Sequence, residues 1–180
     1  VTSSQKESRF TKELPQTLMG LGIAQIFNSI GLIKSVNYYD GATVSQRYKE
    51  GKSAFTLGSY ITGMREIEAD PKNSTFQHEF GHYIQSQDEG LAYLTRYALP
   101  SLLSAMKDDQ TGNYIHGYSW VEQDANIRAR DYFNATIPGY NGWDNNHPRY
   151  RGGNEILSTS KTRDLHLKPY WFPFIGFFVF

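Results

Sequence analysis

Ser74-Thr75-Phe76-Gln77-His78-Glu79-Phe80-Gly81-His82-Tyr83-Ile84-Gln85-Ser86-Gln87 is the stretch whose reading decides the fold. It contains one HExxH pentad, His78 to His82, inside a segment whose spacing predicts a helix over 75–87. Ser74 is the expected N-cap, with Gln77 completing a capping-box pattern. Phe76, Phe80, Tyr83, Ile84 and Gln87 fall toward the expected buried side. Residues i and i+4 of a helix share a face, about 6 Å apart along the axis. His78 and His82 are therefore placed to hold one Zn²⁺, with Glu79 close enough to act on a water that the ion activates. With five His and nine Glu in 180 residues, only about 0.006 such pentads are expected by chance.

Catalytic zinc usually takes three protein ligands and keeps one position open. A metzincin would place a Gly three residues after the second His and another His three further on. Those positions here are Gln85 and Asp88, so that layout is excluded. What remains is a carboxylate from a second helix, the gluzincin arrangement. Glu122, forty residues after His82, is the leading candidate, and Asn126 one turn later can steady a ligand. Asp124 and His116 are the alternatives; Glu89 lies too near the end of the first helix. Ser119-x-x-Glu122 also reads as a capping box, which needs no metal. His116, Tyr118 and Tyr114 lie just upstream and are candidates to stabilise a developing oxyanion, with His116 put forward as catalytic. His147 and His166 read as loop histidines.

Working outward, 180 residues suit a single domain with a real core. Hydrophobic content is 39% and aromatic content 15%. A formal net charge of +0 offers no electrostatic case for nucleic acid or an anionic membrane. With no Cys, a metal must be held by His and carboxylate groups. The chain starts at Val1, lacks an apolar signal core, and reads as a piece of a longer polypeptide.

Residues 1–13 read as a flexible lead-in and 17–30 as a helix packed on a sheet. Val36-Asn37-Tyr38-Tyr39 and Ala42-Thr43-Val44-Ser45-Gln46, joined by Asp40-Gly41, predict a hairpin. Residues 54–61 predict a third strand, which can be an edge that pairs with extended substrate. A helical run from Leu91 to Met106 must kink or restart at Pro100. Residues 107–113 predict a loop, and a further helix starts at Ser119. Residues 134–180 are loop-rich and end in the apolar run Tyr170 to Phe180. That run is too short to span a bilayer and is expected to pack on the core or cover a groove.

The segments Tyr38-Tyr39-Asp40-Gly41-Ala42-Thr43-Val44, Phe55-Thr56-Leu57-Gly58-Ser59-Tyr60-Ile61 and His78 to Ser86 occur in a telling order. They are followed by Gly90-Leu91-Ala92-Tyr93-Leu94, Leu99 to Ala105 and Trp120-Val121-Glu122-Gln123-Asp124-Ala125-Asn126. Over about residues 36–133 the chain resembles the metallopeptidase domains at the C-termini of RHS-type polymorphic toxins of Bacteroidetes. The resemblance implies a zinc-dependent effector, secreted or delivered into a competing cell as part of a large carrier. A cognate immunity protein is then the expected partner. It also implies His78, His82 and Glu122 as ligands, Glu79 as catalytic, and Asn126 as the matching position one turn beyond.

The expected fold is α+β and zincin-like: a small sheet packed on the HExxH helix and a second, ligand-bearing helix. The catalytic core is expected over 36–133 of one domain spanning 1–180. The expected activity is hydrolysis of protein or peptide amide bonds. A peptidoglycan amide as substrate, a non-catalytic zinc-binding interaction module and membrane disruption by the 170–180 tail are the alternatives.

Overall fold

Asp40 and Gly41 both adopt positive φ, 38° and 90°, the backbone that a two-residue hairpin turn needs. Strands β1 (Ile33–Tyr39) and β2 (Ala42–Arg47) accordingly pair antiparallel, Tyr39 opposite Ala42. The computed structural model describes residues 7, 10–111 and 116–149. Over these residues the fold is α+β, with four α-helices and one mixed four-stranded sheet.

The single strand expected over 54–61 is instead a second hairpin, β3 (Ala54–Leu57) and β4 (Tyr60–Gly63). Gly58 breaks it: at φ 56° it turns the chain so tightly that a Cβ there would lie 2.4 Å from the Thr17 backbone nitrogen. The sheet order is β1-β2-β4-β3, with β4 parallel to β2 and β3 at an edge.

Thr17 belongs to helix α1 (Leu14–Ser29), which starts earlier than the expected 17–30, with Pro15 in its first turn. Its buried face is small or polar: Gln16, Thr17, Gly20 and Ala24. A Cβ on Gly20 would come within 2.4 Å of the Leu57 carbonyl oxygen, so larger side chains have no room there. Leu18, Ile26 and Ile30, three of the apolar residues whose spacing predicts the helix, are more than half exposed, and Met19 is half exposed. Glu13, the last residue of the stretch read as a lead-in, is buried and accepts a hydrogen bond from Ser86 Oγ at 3.3 Å.

Helix α2 (Ser74–Glu89) carries the pentad. Its N-cap is Asn73, not Ser74: Asn73 Oδ1 accepts the Phe76 N–H at 2.9 Å. Ser74 Oγ donates to Asp144 Oδ2 instead, and Gln77 donates to the carbonyls of Pro71 and Gly142, so the expected capping box is not made. Both side chains thereby fasten the turns over 137–149 across the start of α2. Phe76 and Phe80 pack edge-on against Tyr39 of the sheet, with ring centroids 5.4 and 5.5 Å away. Phe133 stacks on Phe80 at 5.2 Å and ties in the last helix.

The run expected from Leu91 to Met106 divides into a π-helical turn, Leu94–Ala98, and helix α3, Leu99–Thr111. Pro100 is the second residue of α3, which follows the π-helical turn without a break, and the Leu99 N–H before it reaches back to the Leu94 carbonyl. The loop expected over 107–113 is helical as far as Thr111. A 3₁₀ turn (His116–Tyr118) leads into helix α4 (Trp120–Thr136). Helices α2 and α4 touch backbone to backbone: a Cβ on Gly81 would lie 2.1 Å from the Ala125 carbonyl oxygen. That closeness sets the site. Among the described residues no helix is long and apolar enough to cross a membrane. Tyr114, His166 and the apolar run 170–180 lie outside the described residues.

Candidate metal centre

Ser119 begins α4 with extended backbone but makes no side-chain cap bond, and its Oγ is buried without a partner. The capping box read at Ser119 and Glu122 is therefore not formed. Glu122 turns inward. Its Oε2 lies 2.9 Å from His78 Nε2 and 3.0 Å from His82 Nε2, and its side chain is 1% exposed. These three residues form the group of His, Asp and Glu side chains able to hold a metal among the described residues, their ligand atoms all within 4.8 Å of one another.

The opposite edges of both imidazoles are fixed by neighbours. His78 Nδ1 lies 2.8 Å from Asn126 Oδ1, and Asn126 Nδ2 donates to the Pro148 carbonyl at 2.8 Å. His82 Nδ1 lies 2.8 Å from Gln85 Oε1, and Gln85 Nε2 donates to the Val121 carbonyl and to Asp124 Oδ2, both at 3.0 Å. Each amide nitrogen faces an acceptor, so each amide oxygen must accept from the histidine. Both Nδ1 atoms therefore carry a proton, and in the neutral imidazoles both Nε2 lone pairs would point at the Glu122 carboxylate. Three acceptors facing one another repel unless a cation or protons lie between them.

The titration directions follow from that conflict. Burial pushes His78 down, but its hydrogen bond to Glu122 and the charges of Glu122 and Glu79 outweigh this and raise it to about 9. His82 is likewise raised against its burial, chiefly by the charge of Glu122. Burial would raise Glu122, yet the two histidines hold it well below the usual carboxylate range.

The donor set fits a divalent metal. Ligands about 2.0–2.1 Å from a tetrahedral ion lie about 3.3 Å apart, so the observed 2.9–3.0 Å needs only a slight opening. Glu122 Oε1, buried without a hydrogen-bond partner, is a second oxygen available to the ion.

Around this cluster lies a cleft of about 570 Å³ that Glu79 also lines. Glu79 is buried, with Thr56 Oγ1 of β3 2.7 Å from its Oε2. Tyr93 forms part of the same cavity, its hydroxyl 3.3 Å from the Thr56 carbonyl; burial, then the charges of Glu79 and Glu122, raise its pKa. His116 reaches the cleft, its Nδ1 against Ser104 Oγ and its Nε2 3.7 Å from Glu122 Oε1.

Among the other expected residues, Asp124 faces Gln85 and Arg128 rather than the cluster. Glu89 pairs with Arg96. Tyr118 offers its carbonyl to Gln123. His147 stacks beside His78 at 6.0 Å between centroids, with its Nε2 3.0 Å from the Ser74 carbonyl; burial, then His78, lowers it to about 4. Sequence reasoning missed Gln85, Thr56, Tyr93 and Ser104. Gln85 alone had a readable signal, its i+3 spacing from His82 on one helix face.

No protein-family model matches the chain, and searches of curated proteins and of solved structures give no significant match.

Proposed function

We propose that this protein is a zinc-dependent hydrolase of peptide or other amide bonds, with a gluzincin-like ligand set of His78, His82 and Glu122. The observation that carries the reading is the meeting of two imidazole Nε2 atoms and a carboxylate in a cleft that also holds Glu79. Zinc suits two imidazoles and one carboxylate, and when bound it activates water and polarises a carbonyl. Among the described residues the group offers three protein donors, a number that favours catalysis over a closed structural site.

Glu79 takes the proton from the attacking water and returns it to the leaving amine. Thr56 holds one Glu79 oxygen, which leaves the other directed to that task. His116, anchored through Nδ1 by Ser104, presents Nε2 as the donor for the developing oxyanion. Asn126 and Gln85 keep both histidines in the tautomer that binds metal.

The setting we propose is an effector domain carried by a larger polypeptide into a competing cell and paired with an immunity protein. It is supported by the sequence resemblance over 36–133. The test is Glu79→Gln. Zinc should stay bound, by metal analysis, while casein hydrolysis falls at least about 100-fold. Hydrolysis that survives the substitution contradicts the reading.

A further inference from the structure

We infer that the cleft selects a peptide with a bulky, uncharged, apolar side chain beside the bond it presents to the metal. This rests on the hydrolase reading and names its substrate class. Its apolar lining comes from Met19 and Ile23 of α1, Leu57 of β3, and Leu99, Leu102 and Ala105 of α3. Among the described residues that line the cleft there is no Lys, Arg or Asp. Its two carboxylates are engaged, Glu122 with the histidines and Glu79 with Thr56.

A charged side chain entering among these apolar residues would lose much of its hydration. An apolar one would release water from the lining. The same chemistry disfavours a glycan-linked amide, whose hydroxyls and carboxylates find few polar groups beyond the cluster. Met19 and Leu102 are 50% and 56% exposed, so the apolar lining reaches solvent. Strand β3 has β4 on one side only and supplies a backbone edge for the same peptide.

The test uses zinc-loaded Glu79→Gln protein, which should not turn over, titrated by calorimetry with N-blocked leucine, phenylalanine, lysine and aspartate hydroxamates. Leucine and phenylalanine should bind at least about tenfold tighter than lysine or aspartate. Leu102→Asp and Met19→Asp replace exposed residues. Either should cut that preference about tenfold, with zinc content and circular dichroism unchanged. Equal affinities, a preference for a charged side chain, or a preference that neither variant moves overturns the inference while leaving the hydrolase reading intact. Protein that takes up no zinc overturns both.

Discussion

Helices α1 and α2 are each 16 residues long and both bury polar side chains, but only α2 buries large aromatic ones beside them. Helix α1 is the more apolar in sequence, yet it leaves Leu18, Met19, Ile26 and Ile30 exposed and buries Gln16 and Thr17. Helix α2 is rich in polar residues, yet it buries Gln77, Glu79, His82, Gln85 and Ser86 beside its aromatics. Burying those groups is costly unless each is partnered. In α2 they are, through a network that ends on the cluster of His78, His82 and Glu122. Burial here follows the chemistry of the site more than hydropathy. The apolar side of α1 is left for the cleft and the solvent.

The comparison breaks most severely at Gly81. Gly81→Ala drives a methyl group into the Ala125 carbonyl and should cost about 2–3 kcal/mol in urea unfolding, while moving Glu122 away from the histidines. An unchanged midpoint would show that α2 and α4 are less closely apposed. Next come Asn126→Ala and Gln85→Ala, each expected to weaken zinc binding about 10–100-fold in a chelator competition. Unaltered affinity would mean that the Nδ1 contacts do not set the tautomer. The smallest effect belongs to α1: Ile26→Ser, at a 60% exposed position, should stay within about 0.5 kcal/mol of the parent. A much larger loss would show this face to be covered in solution.

Much of this was legible from local pattern. The pentad, the Asp40-Gly41 turn and the reach of Glu122 from a second helix each depend on residue types whose chemistry acts at short range or fixed spacing. What was not legible depended on tertiary contact. Gly58 looks like any residue of a β-rich run until Thr17 packs against it. Ser74 is as good a cap as Asn73 until Asp144 claims its hydroxyl. Ser119 and Glu122 match a capping box, but two histidines across the interface are stronger partners for the carboxylate than a backbone N–H. Thr56 joins the site only because the sheet edge lies against α2.

Because its hydrogen bond to Glu122 and the charges of Glu122 and Glu79 raise His78 to about 9, a metal held there would have to displace its proton at neutral pH. In the metal-free protein the histidine contribution is complete below the ordinary His pKa of about 6.5 and fades as pH climbs through about 9. Metal binding should run the other way. The most direct measurement is a zinc titration of the parent and of Glu122→Ala at pH 6 and pH 8. The account predicts one zinc per parent chain, at least about tenfold tighter at pH 8, and affinity largely lost in Glu122→Ala. Zinc bound equally well without Glu122, or not bound by the parent at all, would contradict it.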